Sequence, residues 1–279
     1  IHIDKKCKEE TAVLSGCHNL TICREHYDVR WGEISMVDAV LTMCREALTR
    51  FDAGHYVLLS GNDYPVKTAD YIESFLSKNQ QYSFLTGERL PSARLPWLEG
   101  GRRHLKAYAL PLGKNRIATI EPRRFDIGNI RQFIKTALFC PRLLSKAVNL
   151  LIHSSVRTAP MPIFGGDFWW IISRNTLLEI IRYNDSHPAL HKFMTDVANA
   201  DEVYFPTMAF TVSPDTIVKK RMRHISWSKK GNSPRWLTME NYKEIETAVT
   251  DPESLFIRKV DSTEVCDFID SLVAETETI

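Results

Sequence analysis

The chain has 279 residues and a mass of 32.1 kDa, with 44% hydrophobic and 25% charged residues. This length suits one large α/β domain or two small ones, and the composition is ordinary globular usage, which excludes a disordered tail, a collagen and a coiled coil. No apolar stretch reaches about 18 residues, so the sequence predicts no transmembrane helix. The formal net charge of +2 is too small to indicate nucleic-acid binding by itself.

Six cysteines lie at scattered positions, and none forms a Cys-x-x-Cys pair. This spacing favours buried free thiols over a zinc site or a disulfide scaffold.

The chain opens without Met or a signal peptide. Its first segment, residues 1–6, is typical of a strand entering a turn. We expect that a preceding βα unit is missing from this chain. We also expect a cytoplasmic location, peripheral at the inner membrane if the protein is bacterial.

Apolar residues recur at helical spacing in residues 35–50. A short apolar run follows at 55–60, and a second helix begins after Thr68. The order of strand, loop and helix predicts βα units and a mainly parallel sheet. Because ligands bind at the carboxyl ends of such strands, the loops after Ile3 and Leu59 are candidate site loops.

Residues 86–125 are rich in Gly, Pro and Arg and lack periodicity, which indicates an insertion carrying short strands. Residues 128–153 have a helical, amphipathic pattern interrupted at Pro141. Between Arg102 and Arg157 there are 12 Lys or Arg and two acidic residues. This bias fits a solvated helix face, an anionic lipid surface or a phosphate-bearing acceptor. We predict no nucleic-acid partner, because aromatic residues are not interleaved with the basic ones.

The last part of the chain begins with an apolar, strand-rich run at residues 160–172. Asp201 and Glu202 precede an aromatic segment that is also predicted as a strand, and such an acidic pair fits either a turn or a catalytic role. We predict helices over residues 173–183, 188–199, 238–249 and 262–274.

Several familiar motifs are missing from the sequence, namely a P-loop, Gly-x-Gly-x-x-Gly and Asp-x-Asp. His187 and His191 share one helix face but have no evident third ligand, so the pattern favours a helix start over a metal site. No metal or other cofactor is therefore expected.

Two pairs of neighbouring residues are compatible with either a structural or a binding role. Trp169 and Trp170 fit the core or an aromatic platform for a sugar ring. Arg258 and Lys259, after an apolar run, fit a solvated strand end or a phosphate contact.

Seven segments, taken together, carry a family resemblance across nearly the whole chain: IHIDKK (1–6), VRWGEISMVDAVL (29–41), YVLLSGNDYPVKT (56–68), FGGDFWWIISR (164–174), ADEVYFPTM (200–208), MRHISW (222–227) and SLFIRKVD (254–261). In their order along the chain and in their residues, they resemble the motifs of the core-2/I-branching β-1,6-N-acetylglucosaminyltransferase family, which includes peptide O-xylosyltransferases. The sequence is more similar to a bacterial member, since it lacks the long stem and most cysteines of the animal enzymes.

The resemblance implies a GT-A-like fold, that is, a Rossmann-type α/β/α sandwich with a mainly parallel sheet and an inserted basic helical acceptor region. It implies a single glycosyltransferase domain over residues 1–279. Within it we expect a nucleotide-sugar-binding half (1–85), an insertion or acceptor region (86–160) and a catalytic and diphosphate-binding half (161–279).

The implied reaction moves a sugar, N-acetylglucosamine in the first instance, from a UDP-sugar to a hydroxyl of a glycan or lipid-linked glycan. It proceeds with inversion and without a divalent metal, in agreement with the missing Asp-x-Asp. UDP-xylose is the alternative donor. A non-catalytic nucleotide-sugar- or carbohydrate-binding protein on the same fold is the alternative function.

The resemblance also assigns residues to roles. Glu202 matches the family's base, because an ionised carboxylate can take the proton of the acceptor hydroxyl. Arg223 and Lys259 match the cations that stabilise the leaving diphosphate, and Arg221 is a rival for the role of Arg223. The residues that match the nucleotide and sugar pocket are Asp4, Ser60, Gly61, Asp63, Gly165, Gly166 and Trp169.

A remaining expectation concerns partners. Besides the UDP-sugar and the glycan acceptor, the basic segment 102–157 predicts a peripheral contact with an anionic membrane.

Overall fold

The computed structural model describes residues 1–8, 14, 16–228 and 233–276. The chain forms two compact units. The first unit comprises Ile1–Asp52, Gly87–Phe168 and Leu177–Pro214. The second unit comprises Ala53–Thr86, Trp169–Thr176 and Asp215–Ile279.

Helices and short strands alternate along the chain. The helices are α1 (Ile34–Arg50), α2 (Ala69–Lys78), α3 (Arg102–Lys106), α4 (Ile127–Phe139), α5 (Leu144–His153), α6 (Arg174–Ser186), α7 (Pro188–Met194), α8 (Asp201–Val212), α9 (Tyr242–Thr250) and α10 (Thr263–Thr276). The strands are β1 (His55–Val57), β2 (Asp63–Pro65), β3 (Ser83–Phe84), β4 (Glu88–Arg89), β5 (Tyr108–Gly113), β6 (Arg116–Ile120), β7 (Phe164–Gly165), β8 (Ile171–Ser173), β9 (Ile217–Val218), β10 (Arg223–Ile225) and β11 (Phe256–Arg258). Among the residues described, no helix is both long and apolar enough to cross a membrane.

The second unit holds two mixed sheets, with strand orders β1-β8-β3-β9 and β10-β11-β2. β8 is antiparallel to both β1 and β3, so β1 and β3 run in the same direction with β8 between them. The pairs β3–β9 and β10–β11 are parallel, whereas β11–β2 is antiparallel. In the first unit the pairs β4–β7 and β5–β6 are antiparallel.

The mixed α/β class is therefore confirmed, but the mainly parallel sheet and the α/β/α sandwich are not. The strand–helix–strand order does give β1 and β3 a common direction, as predicted. A strand from far along the chain, β8, then separates them. Sequence order alone does not show that such a distant strand inserts between two neighbours.

Local sequence signals account for most of the helices. The Thr68 side chain accepts a hydrogen bond from the backbone N–H of Tyr71 and caps α2, as predicted. The pattern over 128–153 forms α4 and α5, separated by a short 3-10 turn at Pro141. Pro188 opens α7, which confirms the helix start predicted there.

The segment after the acidic pair is a helix, so its prediction as a strand was wrong. α8 begins at Asp201, and its residues 203–209 are all buried. A short continuous apolar run has no polar face, and periodicity cannot distinguish a buried strand from a buried helix. The correction places Asp201 and Glu202 in the first turn of a helix.

The six cysteines are free thiols, as their spacing predicts. Cys23, Cys44 and Cys140 are buried, whereas Cys7 and Cys17 are exposed. The expectation of buried thiols is therefore met by only part of the set.

A hydrophobic cluster joins the β5–β6 hairpin to α4 and α5 in the first unit. It includes Leu110, Ala118 and Ile120 of the hairpin, with Cys140 and Ala147 from the helical segment. The β5–β6 hairpin therefore packs against α4 and α5 and supports them.

Strand β11 contributes to two hydrophobic clusters of the second unit. Ile257 packs in a cluster with Ile245 of α9 and Ile269 of α10. Phe256 packs in the other cluster, with Phe84 of β3 and Ile171 of β8. Alternate residues of a strand point to opposite faces, so Arg258 shares the face of Phe256.

We expect Ile120→Ala to lower the free energy of unfolding by about 2–5 kcal/mol, because it leaves a cavity in the hairpin cluster. Ile120 is fully buried. Ile130→Ala is the matched control, since Ile130 is 55% exposed, and it should change stability by less than about 0.5 kcal/mol. Urea unfolding measures both, and equal losses would contradict this packing.

Candidate functional site

A carboxylate between two guanidinium groups lies inside the second unit. Arg223 Nε is 3.0 Å from Asp63 Oδ1, and these side chains are 2% and 0% exposed. Arg258 Nη1 is 3.3 Å from Asp63 Oδ2. We call these three residues the Asp63 cluster. It brings two guanidinium groups to one carboxylate in the interior, where a charge is costly to bury unless it is paired.

The strand register of the second unit sets the positions of these three residues. Asp63 of β2 lies directly opposite Arg258 of β11. Arg223 of β10 lies opposite Phe256 on the other side of β11. Since Phe256 and Arg258 are two residues apart in one strand, all these side chains share one face of the sheet.

The loop before β2 anchors the carboxylate further. The backbone N–H and the hydroxyl of Ser60 each donate a hydrogen bond to Asp63 Oδ2 at 2.7 Å. Arg223 Nη2 donates to the carbonyl of Leu58 at 3.0 Å. A Cβ added at Gly61 would meet nothing within 4 Å, so this position faces open space. Asp63 is therefore held as an acceptor that orients the two arginines.

Trp169 lies against both arginines. The Cζ atoms of Arg258 and Arg223 are 3.9 and 5.1 Å from its ring centroid, a separation at which a cation is attracted to the ring face. Burial lowers the pKa of Arg258, and the charge of Asp63 opposes that effect. Trp170 is buried in the core. Trp170 therefore has the core role considered for it, whereas the sugar-platform role of Trp169 stays a prediction.

Lys259 and Arg221 differ in their relation to this cluster. Lys259 directly follows Arg258, is half-buried, and places Nζ 5.3 Å from the ring centroid of Trp236. Arg221 precedes β10, and Met222 between it and Arg223 has a φ of +51°. That left-handed residue ends the strand alternation that would put Arg221 and Arg223 on one face. Of the two rivals, Arg223 is therefore the one that contacts Asp63.

Arg258 is the residue whose position the sequence reasoning missed. The sequence is compatible there with a solvated strand end or a phosphate contact. Arg258 is buried, so the solvated strand end is wrong, and the phosphate contact stays a prediction. One signal was present, because Arg258 lies two residues after Phe256 in an apolar strand and so returns to the same face. What the sequence could not show is that Asp63 would lie opposite it.

A group of carboxylates lies in the first unit. Burial raises the pKa of Glu202, and the negative charges of Asp201 and Asp167 raise it further. A hydrogen bond with Asn199 acts in the opposite direction. Burial likewise raises the pKa of Asp201. The pair holds protons more tightly than free carboxylates do.

Backbone contacts fix the acidic pair at the start of α8. The Gly166 N–H donates to the Glu202 carbonyl at 2.9 Å, and the Glu202 N–H donates to the Asn199 carbonyl at 3.1 Å. Asp201 Oδ1 is buried and has no hydrogen-bond partner within the part of the chain that the structure describes. Backbone hydrogen bonds therefore fix the position of the pair, but the hydrogen-bonding capacity of its side chains is only partly used.

The remaining predicted residues have structural contacts of their own. A Cβ added at Gly165 would lie 2.3 Å from Trp97 Cζ3, so packing requires glycine there. Asp4 accepts hydrogen bonds from the backbone N–H groups of Lys6 at 2.8 Å and Val29 at 3.2 Å.

All of the predicted site residues except Asp4 therefore fall into two groups, each within one unit. In the second unit, Ser60, Asp63, Arg223 and Trp169 are in contact through the Asp63 cluster, with Gly61 and Lys259 adjacent in the chain. In the first unit, Gly166 bonds directly to Glu202, and Gly165 precedes it. Asp4 belongs to the first unit but forms its own turn.

Comparison with known proteins identifies the family. The model of the Core-2/I-Branching enzyme family matches residues 1–116 and 131–248. The chain belongs to this family, as the sequence resemblance predicts. It is also similar to xylosyltransferase 2 of Pan troglodytes and of Homo sapiens, with 22% identity over 240 residues in each case. These matches cover 82% of this chain and 23% of each relative, so the chain spans about a quarter of their length.

Asp63→Asn should destabilise the second unit by about 3–5 kcal/mol, because it removes the negative charge that both buried guanidinium groups contact. Asp270→Asn is the matched control, since exposed Asp270 accepts a hydrogen bond from the Tyr64 hydroxyl at 2.9 Å in the same unit. It should cost about 1 kcal/mol or less. Thermal unfolding of both variants tests this, and a neutral Asp63→Asn would refute the anchoring role.

Glu202→Gln should stabilise the protein increasingly as pH rises. The folded state raises the pKa of Glu202, so ionised Glu202 destabilises the fold. That penalty is absent below the unfolded pKa of about 4.3 and grows as pH rises toward the folded value. We expect the Tm difference between variant and wild type to be near zero at pH 4 and several degrees at pH 8.

The control for this experiment is Glu179→Gln, at an exposed position on α6. It should show no such growth with pH. A Glu202→Gln difference that stays constant across the range would contradict a raised pKa.

Proposed function

We propose that this chain transfers a sugar from a UDP-sugar to a hydroxyl of a glycan or lipid-linked glycan, with inversion and without a divalent metal. The observation that carries the proposal is the Asp63 cluster, in which one carboxylate holds two buried guanidinium groups side by side. With Lys259 next in the chain, this region of the second unit fits a diphosphate. Arginine offers a planar fork to phosphate oxygens, and lysine offers a point charge.

These cations have a defined part in the proposed reaction. When the glycosidic bond to UDP breaks, the diphosphate takes the bonding electrons and gains negative charge. Cations that are already oriented stabilise that charge without reorganising. Asp63 and Trp169 hold the guanidinium groups in place before any ligand arrives.

The hydrogen bonding of Asp63 supports a reaction without a divalent metal. Its Oδ2 accepts two hydrogen bonds from Ser60 and lies 3.3 Å from Arg258, while its Oδ1 lies 3.0 Å from Arg223. A carboxylate engaged in this way anchors arginines and has little capacity left for a metal. Positive side chains then take the role of charge compensation.

Glu202 is the proposed base. The acceptor hydroxyl gives its proton to the Glu202 carboxylate as its oxygen attacks the anomeric carbon and the bond to UDP breaks. One such displacement inverts the configuration. Burial and the charges of Asp201 and Asp167 raise the pKa of Glu202, which makes its ionised form a stronger base.

We propose N-acetylglucosamine as the transferred sugar, as the resemblance implies. Xylose is the second candidate, because the relatives found by comparison are named xylosyltransferases. Discrimination between the two donors depends on a few pocket contacts worth about 1–3 kcal/mol each. A non-catalytic nucleotide-sugar-binding protein is the alternative that only turnover can separate from the enzyme.

Two substitutions test the proposal at separate points. Lys259→Ala should weaken UDP binding by about 10- to 100-fold through loss of a charge-assisted contact. Glu202→Gln should keep UDP binding and lose transfer by about 10²–10⁴-fold. Calorimetry measures binding, and UDP release from UDP-N-acetylglucosamine and UDP-xylose, with and without EDTA, measures turnover.

Lys259 is a cleaner test than Arg223, because removing Arg223 also breaks the contact with Asp63. Lys243→Ala, at an exposed lysine of the same unit, is the control and should bind UDP normally. Unchanged UDP affinity in Lys259→Ala would remove the diphosphate assignment, and undiminished turnover in Glu202→Gln would remove the base. UDP binding without turnover of either donor would favour the non-catalytic alternative.

A further inference from the structure

The outward face of α4 is apolar although it is exposed. Four side chains spaced three or four residues apart are 54–71% exposed, namely Ile127, Ile130, Ile134 and Leu138. At about 100° per residue they fall within a sector of about 80°. We call these four, with Phe125 just before the helix, the α4 stripe. Phe125 is 77% exposed.

Packing within the first unit does not account for the α4 stripe. The opposite face of α4 holds the helix in place, through buried Asn129 and Thr136 and partly buried Phe133. α5, which packs against α4, exposes Val148 and Ile152 as well. Soluble proteins leave single apolar residues exposed, but a continuous apolar row on one helix indicates a binding surface.

Basic residues accompany the stripe. Arg131 is exposed on α4 and lies about 40° around the helix from Ile127. Arg123, Arg142 and Lys146 are exposed on the flanking segments. None of these four forms an ion pair with another residue that the structure describes. Their charges are therefore available to an external anion.

The acidic residues of the segment do not offset this charge, because both are engaged internally. Glu121 is buried and paired with Arg102 and Arg124. Asp126 caps α4 by accepting the backbone N–H of Asn129 at 2.8 Å and also pairs with Arg124. The exposed basic residues around α4 consequently face no acidic side chain from residues 102–157.

We propose that α4 lies in the interface of an anionic lipid bilayer. The α4 stripe enters the boundary between head groups and acyl chains, and Arg131, Arg142 and Lys146 contact lipid phosphates. An apolar helix face with a basic border is the pattern of helices that lie in the membrane plane. A second copy of this chain fits less well, because pairing two such surfaces brings like charges together.

This surface is independent of the proposed reaction. It is built from α4 and its flanks in the first unit, and it uses none of the residues assigned to diphosphate binding or proton transfer. Vesicle binding can therefore succeed or fail without any change in UDP binding.

The test is co-sedimentation of the full chain with vesicles of phosphatidylcholine alone or mixed with phosphatidylglycerol. We expect binding to the mixed vesicles at low salt, and weaker binding as salt rises. The triple variant Ile130→Ser, Ile134→Ser, Leu138→Ser should bind at least about tenfold more weakly. Arg131→Gln should bind about fivefold more weakly. Tyr242→Ser, at a 45% exposed helical position of the second unit, should bind like wild type.

Because every substituted side chain is exposed, circular dichroism and melting of the variants should match the wild type. Absence of wild-type binding at low salt would overturn the proposal, and so would equal binding to neutral and anionic vesicles. A wild-type dimer that the triple variant loses, without vesicle binding, would assign the stripe to a second copy instead. Equal vesicle binding by wild type and triple variant would remove the role of α4.

Discussion

The carboxylate of Asp63 holds two guanidinium groups inside the second unit, and the arrangement of that unit's candidate site depends on this contact. Three strands that are distant in sequence meet there. β2 contributes Asp63, β10 contributes Arg223 and β11 contributes Arg258. Burying charge is costly unless each group is paired and hydrogen-bonded. Ser60 and Leu58 add hydrogen bonds to the cluster, and the Trp169 ring adds a cation–π contact. In the proposed function these two guanidinium groups contact the diphosphate of the donor.

The first unit has the opposite electrostatic character at its own cluster. Burial raises the pKa of both Asp201 and Glu202, and the negative charges of Asp201 and Asp167 raise that of Glu202 further. Displacement of a phosphate group from a sugar carbon needs two kinds of residue. A base takes the proton of the incoming hydroxyl, and positive charge stabilises the departing phosphate. In the proposed function the acidic cluster supplies the base and the Asp63 cluster supplies the positive charge.

The sequence predicted local structure and family better than tertiary arrangement. Caps and breakers act over a few residues, so Thr68, Pro141 and Pro188 marked helix boundaries that the structure confirms. α8 was predicted as a strand because a helix buried on all sides has no polar face to reveal its period. The insertion of β8 between β1 and β3, and the approach of Asp63 to Arg258, are long-range pairings that no local pattern encodes. The roles of Glu202, Arg223 and Lys259 come from the resemblance and stay predictions.

The most direct test of a diphosphate site compares UDP, UMP and uridine by calorimetry on the wild-type chain, at two salt concentrations and with or without EDTA. If cations of the second unit recognise the diphosphate, affinity should fall stepwise from UDP to UMP to uridine. The advantage of UDP should shrink as salt rises, because screening weakens charge contacts, and EDTA should leave it unchanged. Uridine binding as tightly as UDP, or a UDP affinity abolished by EDTA, would contradict the account.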